Sequence, residues 1–318
     1  MSQTCVSVII CVYTLDRLND IHEAVGSVLA QTLKPHEVIA SVDHNEELLH
    51  RLKAELPPEV KLVLNDGAPG LSETRNAGIR ASTGAIVAFI DDDAVAEESW
   101  LEELTRHFRN PPVVGVGGSV RPRWLDGTRP GWFPEELDWV VGCTYKGLPV
   151  CGNVVRNMIG CSMSFRKEAL ELAGLFESEV GRVGKSRGVG EEAEMCLRIK
   201  RAIPEASIIY EPRSVVYHKV PPWRVSLKYL AQRSYNEGFY KNVVKRLAAK
   251  SSPQPLSVEN AYLRYLLLSA IPRRLVRFYK PVMLAQAGAI MISIAATGLG
   301  YIWAMTGRRH SLWQVPLQ

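Results

Sequence analysis

The sequence is short of paired cysteines, of a targeting leader and of repeats, and each shortage removes a class. Six cysteines are present, Cys5, Cys11, Cys143, Cys151, Cys161 and Cys196, and no two form a Cys-x-x-Cys pair, so a zinc site is not expected. Cys5 and Cys11 fall in a strand pattern and read as small core residues. Cys143, Cys151 and Cys161 stay open between free thiols and a pairing. Met1–Thr4 has no charged leader segment and runs straight into an apolar strand. The N-terminal domain is therefore expected to stay in the cytosol, where thiols remain reduced. No basic module interleaved with aromatics is present, which argues against nucleic acid as a partner.

The chain is nonetheless mildly basic, with net charge +5 and pI ≈ 8.8. Much of the excess is local. Arg273, Arg274, Arg277 and Lys280 precede the stretch Val282–Met305, and Arg308 and Arg309 follow it. That stretch lacks any charged residue and exceeds the roughly 20 apolar residues that cross a bilayer. Basic flanks on an apolar helix suit a membrane, and their excess on the N-terminal side favours a cytoplasmic domain before it.

With 318 residues, 47% of them hydrophobic, the chain can hold one large α/β domain plus an appendage. Short apolar runs at Val6–Val12, Glu37–Val42, Val60–Leu64, Ala85–Ile90 and Val113–Val120 read as strands. Helical patterns lie between them: Ile21 to Leu29, Glu46–Leu56, Leu71–Ala81 with Ser72 as cap, and Ser99–Phe108. This alternation predicts a mostly parallel sheet with helices on both faces. Ligands bind such sheets beyond the carboxyl ends of the strands. Asp43 and Asp91-Asp92-Asp93 both stand there, at one rim.

Further on, Arg121–Val155 is irregular and bears Trp124, Trp132 and Trp139. Met158–Arg166 is strand-like, Lys167–Ala173 and Glu191–Ala202 are helical, and Ser207–Tyr210 and Ser214–His218 are short strands. Gly181–Gly190 is glycine-rich and basic, and is expected to be mobile. Val225–Arg246 is a helix, Ser251–Pro255 a linker, and Leu256–Lys280 an amphipathic helix broken at Pro272.

Asp91-Asp92-Asp93 carries the clearest chemistry. Adjacent carboxylates repel unless a cation relieves them, and hard divalent ions take carboxylate oxygens and bridge them to phosphates. Mg²⁺ or Mn²⁺ is the expected cofactor.

The segments VSVIICVYTLDR, VDHN and GLSETRNAGIRASTGAIVAFIDDDA, in that order, resemble family-2 inverting glycosyltransferases of GT-A (Rossmann-like) fold, over roughly Val6–His218. The resemblance implies a catalytic domain over 1–220, with a donor half to about 120 and an acceptor half from 121. A helix and linker (221–255) and an amphipathic and transmembrane region (256–318) follow. Val12 and Tyr13 then lie beside the nucleotide base. Asp43 helps read base and ribose, although Asp-His-Asn stands where many relatives have Asp-Asp-Gly-Ser. Arg75 and Asn76 match a segment near the donor diphosphate, as Arg233 does more loosely. Asp91 and Asp93 match the metal-associated acids, Asp92 faces the sugar hydroxyls, and His218 completes the metal shell. Gly190-Glu191-Glu192 resembles a Gly-Glu-Asp motif whose last acid is the catalytic base, here Glu192. Asn157–Ser162, with Met158 and Gly160, lines the acceptor side together with Glu191. Trp132 and Trp139 either stack on sugar or pack in the core.

The QxxRW signature of processive synthases is missing, so single-sugar transfer from a nucleotide diphosphate donor, a UDP-sugar, is expected. The VDHN variant together with the C-terminal apolar segment resembles transferases that extend polyprenyl- or dolichyl-phosphate-linked sugars at the cell membrane, glucuronosyl transfer to a glucosyl-lipid among them. Exopolysaccharide assembly and a non-catalytic nucleotide-sugar scaffold are the rival readings. A pyrophosphorylase is disfavoured, because Tyr13-Thr14-Leu15-Asp16-Arg17 replaces the glycine-rich phosphate loop after its first strand.

Overall fold

The computed structural model describes residues 5–148, 153–178, 190–248 and 256–306. Alternate residues of Val6–Val12 (β1) enter opposite cores: Val8, Ile10 and Val12 join one apolar cluster, and Ile9 the other. A β-branched run buried on both faces belongs in the middle of a helix-covered parallel sheet. Glu37–Asp43 (β2), Val60–Asn65 (β3) and Ile86–Asp91 (β4) run parallel to it in the order β3-β2-β1-β4. Leu18–Leu29 (α1), Glu46–Glu55 (α2) and Trp100–Thr105 (α4) cover the first face through Ile21, Leu48 and Trp100. Leu71–Ala81 (α3), Lys167–Ala173 (α5) and Glu191–Ala202 (α6) cover the second through Ile79, Leu170 and Met195. Helices therefore lie on both faces, as the sequence pattern predicts.

Beyond β4 the sheet changes character. Ser162–Arg166 (β7) pairs antiparallel to β4, and Val113–Trp124 (β6) antiparallel to β7. Ser207–Val220 (β8) runs parallel to β6, and the short Ala94–Ala96 (β5) closes the edge antiparallel to β8. The eight-stranded sheet is mixed, and the parallel expectation holds without exception only for its first four strands.

Several local expectations need correction. The strands expected at Ser207–Tyr210 and Ser214–His218 are one strand, whose pairing with β6 shifts register between Gly118 and Ser119. The strand expected from Met158 begins only at Ser162. Within Arg121–Val155, β6 continues to Trp124 and a 3-10 helix spans Glu135–Val141, ended by left-handed Gly142 (φ 81). Ser72 does not cap α3: the cap position is Gly70, whose amide donates instead to Asp43. Cys143 and Cys161 are free thiols. Cys151, the 181–189 segment, the Ser251–Pro255 linker and Arg308–Arg309 lie outside the described residues.

The C-terminal helices are Leu227–Ala248 (α7), Ser257–Tyr265 (α8), Ile271–Leu275 (α9) and Pro281–Met305 (α10). A wide π turn, Leu266–Ala270, precedes α9, so the irregularity sits ahead of Pro272, which opens α9 without breaking it. α7 and α10 touch backbone to backbone. A Cβ at Gly238 would lie 1.9 Å from the Thr297 carbonyl oxygen, and one at Gly300 would lie 1.9 Å from that of Tyr235. Ser234 and Ser293 hydroxyls bond across the same seam at 2.9 Å. Among the described residues α10 is the one helix long and apolar enough to cross a membrane, and Met291, Leu299, Ile302 and Met305 leave its outer face exposed. Arg273, Arg277 and Lys280 are exposed too. Arg274 is not a flanking surface charge: it holds Glu136 of the 3-10 helix Glu135–Val141 at 2.6 Å.

Candidate active site

The carboxyl ends of the first four strands converge at one rim, and the site begins there. Val12 ends β1, Asp43 ends β2 and Asp91 ends β4, with Cys11 in register with Asp91. All of them line one cavity of ≈ 950 Å³. Asp43 accepts from Asn65 Nδ2 at 3.0 Å and from the Gly70 amide at 3.0 Å, which ties β2 to the start of α3. Tyr13 is exposed at the mouth with the Arg17 guanidinium over its ring.

After Asp91 the chain turns sharply into β5, whose Ala94 pairs with His218 of β8. That pairing delivers the imidazole to the acidic triplet. One ligand atom each from Asp91, Asp93 and His218 lie within 4.8 Å of one another. His218 Nε2 is 3.2 Å from Asp93 Oδ1. Two arginines balance the charge: Arg17 reaches Asp92 at 2.6 Å and Asp93 at 3.1 Å, and Arg224 reaches Asp93 at 3.6 Å. Burial alone would raise the Asp93 carboxyl, but His218, Arg17 and Arg224 outweigh it and hold the group well below the usual carboxylate range. Asp92 goes the other way. Burial and its acidic neighbours push it up to about 7 despite Arg17, and its buried Oδ2 has no partner among the described residues.

Two carboxylates and one imidazole fit Mn²⁺ or Mg²⁺, because hard cations take oxygen ligands and manganese also accepts nitrogen. The unpartnered Asp92 oxygen beside them is a further acceptor awaiting a cation or a hydroxyl donor.

Across the cavity stands a second acidic pair at the start of α6. Glu191 is buried and faces Arg75 Nη1 at 3.4 Å, while Glu192 is partly open to the cavity with Arg75 Nη2 at 4.0 Å. Arg75 comes from α3, is buried, and lies over the rings of Phe89 and Phe176. Burial and the neighbouring Glu191 push the Glu192 carboxyl up to about 7, against the pull of Arg75. That suits a group that must take a proton near neutrality. Gly160 fits against this pair: a Cβ there would stand 2.1 Å from Glu192 Oε1 and 2.8 Å from Arg75 Nη2. Met158 lines the same wall and packs over Gly117.

Most of the sequence-predicted residues thus meet in one cavity. Asn76 does not. Its amide is used by the Phe176 backbone, donating at 2.8 Å and accepting at 2.9 Å, and it clamps the segment after α5. Trp139 lines the cavity under Arg233, whereas Trp132 packs edge-on against Phe133 in the core. Arg17 and Arg224 escape the sequence reading, although a cation close to three consecutive acids is what charge balance requires.

The model for "Glycosyl transferase family 2" matches residues 7–173, just over half of the chain. The chain belongs to that glycosyltransferase family. The transferase is 37% identical over 306 residues to a glucosyl-dolichyl phosphate glucuronosyltransferase of Haloferax volcanii, covering 94% of this chain and 96% of that one. It is 28% identical over 200 residues to the succinoglycan biosynthesis protein ExoM of Rhizobium meliloti, covering 60% of this chain and 58% of that one. Among solved structures, a mannosyltransferase from Pyrobaculum calidifontis in complex with GDP-Man and Mn²⁺ matches 93% of this chain and 87% of its own. The TM-score there is 0.59 at 15% identity, a likeness of fold. The transferase has the GT-A fold.

Proposed function

We propose that this transferase moves a single sugar, with inversion, from a nucleotide diphosphate donor, a UDP-sugar, to a lipid-linked glycan at the cell membrane, with its catalytic domain on the cytoplasmic side. The observation that carries the reading is the extent of the cavity. It runs from Asp91, Asp93 and His218 past Arg75 and Glu192 and on to Leu263, Ile294 and Ile302 of α8 and α10. A polar catalytic end and an apolar end on the candidate membrane helix share one space. A soluble sugar acceptor has no use for the second. The 37% identity to a transferase named for a dolichyl-phosphate-linked acceptor points the same way.

Asp91, Asp93 and His218 would hold Mn²⁺ or Mg²⁺, which supplies positive charge for the leaving diphosphate. Val12, Tyr13 and Asp43 border the space for the nucleoside. Glu192 takes the proton of the acceptor hydroxyl, whose oxygen attacks the anomeric carbon from the face opposite the diphosphate. Arg75 and Gly160 set the position of that carboxylate, and Glu191 keeps Arg75 in place.

The test is a panel of nucleotide sugars given to the full chain with Mn²⁺, Mg²⁺ or EDTA, and with lipid-linked or soluble sugar acceptors. Metal-dependent turnover of one donor onto a lipid-linked acceptor is expected. Turnover on soluble sugars alone would replace the lipid assignment with exopolysaccharide assembly. Binding of a donor without turnover would leave a non-catalytic nucleotide-sugar scaffold, and no binding of any donor would overturn the reading.

A further inference from the structure

Five charged side chains line the cavity between the catalytic acids and the apolar groove, and the chemistry derived above uses none of them. Arg156 holds Glu259 of α8 through both guanidinium nitrogens, at 2.7 and 2.8 Å. Lys241 of α7 bridges Glu259 at 2.8 Å and Glu237 at 3.0 Å. Arg233 holds Glu237 at 2.7 Å. Each is largely withdrawn from solvent, yet all five face the cavity. Their charges are fixed. Lys241 is raised well above an ordinary lysine by Glu237 and Glu259 in spite of burial, and both glutamates are lowered to about 2, mainly by Lys241, against burial. Within this cluster of described residues three cations stand against two anions, so the five side chains together carry a net positive charge. Such a charge is costly unless an anion answers it.

The place of the cluster says which anion. On one side Arg233 is within electrostatic reach of Glu192 and lies over Trp139. On the other side the residue after Glu237 is Gly238, sealed on Thr297 of α10, and Leu263 and Ile302 carry the cavity wall onward. Polar catalytic groups, a single surplus cation and an apolar groove therefore follow one another. That is the order of sugar, phosphate and hydrocarbon in a lipid-phosphate glycan. Glu237, Lys241 and Glu259 also lie beyond residue 173, where the family match ends.

We propose that Lys241, with Arg156 and Arg233 flanking it, binds the phosphate of a phosphate group attached to an apolar chain, and so selects the acceptor. The proposal rests on the lipid-linked acceptor reading above. Lys241 is the residue to change, because its removal leaves Arg156 with Glu259 and Arg233 with Glu237 as balanced pairs.

The experiment measures equilibrium binding to the full chain in detergent, with no donor present. The ligands are a short-chain polyprenyl phosphate glycoside, the matching uncharged polyprenyl glycoside and inorganic phosphate. Wild type is expected to prefer the phosphate-bearing lipid by roughly tenfold or more, in line with charge-assisted hydrogen bonds. Lys241→Gln should lose that preference while keeping affinity for the uncharged lipid, and Lys241→Arg should keep most of it. Equal binding of the two lipids by wild type, or an undiminished preference in a folded Lys241→Gln, would overturn the proposal. Inorganic phosphate competing as well as the lipid would show a free-anion site and overturn the lipid assignment. Binding is read without turnover, so failure of the transferase reading, an inactive protein with the preference intact, is a separate outcome.

Discussion

Three neighbours shape the environment of Glu192, the proposed base: burial and Glu191 raise its proton affinity, Arg75 limits the rise, and Gly160 leaves it room. A base must be ionised to accept a proton, so turnover is expected to climb as pH rises through about 7 and to level off above it. Below about pH 6 a single ionisation makes kcat fall roughly tenfold per pH unit. A profile flat from pH 5 to 8 would remove Glu192 from that role. Gly160→Ala tests the geometry without touching charge. Its methyl displaces the Glu192 carboxylate, and kcat should drop by about 10²-fold with donor KM little changed, because small misplacements of a catalytic group cost that much. His218→Ala, read by titrating activity against Mn²⁺, should raise the half-saturating metal concentration roughly 10- to 100-fold, on the scale known for changes at metal sites. An unchanged Mn²⁺ dependence would leave Asp91 and Asp93 as the whole protein contribution.

At the scale of elements, legibility follows burial. β1 to β4 and α3 stand within a residue of their expected bounds, because a run buried on both faces and a helix between glycine and serine stops have few alternatives. The antiparallel half was not legible. Whether Ser162–Arg166 lies parallel or antiparallel to β4 depends on the path of the preceding excursion, and no periodicity in the strand itself records that path. The acidic rim was legible because strand ends are. His218 entered only by resemblance, since its partner Asp93 is set by the β5–β8 register. Asn76 looked like a ligand-facing neighbour of Arg75, but adjacent helical residues face different ways, and it holds Phe176 instead. The ion cluster of α7 and α8 was missed as a cluster: Arg233–Glu237 and Glu237–Lys241 stand four residues apart on α7, but the pairs that join them to α8, Arg156 and Lys241 with Glu259, are not close in sequence. The α7–α10 seam makes its own demand. Gly238→Val should destabilise the fold by about 1–3 kcal/mol through overpacking, seen as a lowered urea midpoint, whereas Gly298→Ala, with open space around it, should not. Equal effects would mean the seam is not close-packed.

On the whole-molecule scale, the C-terminal helices are bound to the sheet and its helices as well as apolar on the outside. Arg274 with Glu136 and Arg156 with Glu259 cross between them, and Ala289 and Ile290 of α10 belong to the same core cluster as β1. Met291, Leu299 and Met305 are exposed along α10, and Phe278 and Tyr279, with Arg277 and Lys280, are exposed just before its start. An exposed apolar helix with basic side chains at its start favours anionic bilayers. Leu299→Lys with Met305→Lys should therefore reduce flotation with anionic vesicles while leaving the fold intact by circular dichroism. Unchanged flotation would place membrane attachment elsewhere. The most direct measurement is the rate of sugar transfer to a lipid-linked acceptor by wild type and Glu192→Gln, side by side, with saturating donor and Mn²⁺. Transfer by wild type, lowered on the order of 10²- to 10⁴-fold in the variant with donor binding retained, is the expected result. Equal rates in the two proteins would contradict the assignment of the catalytic base and the reading of the cavity built around it.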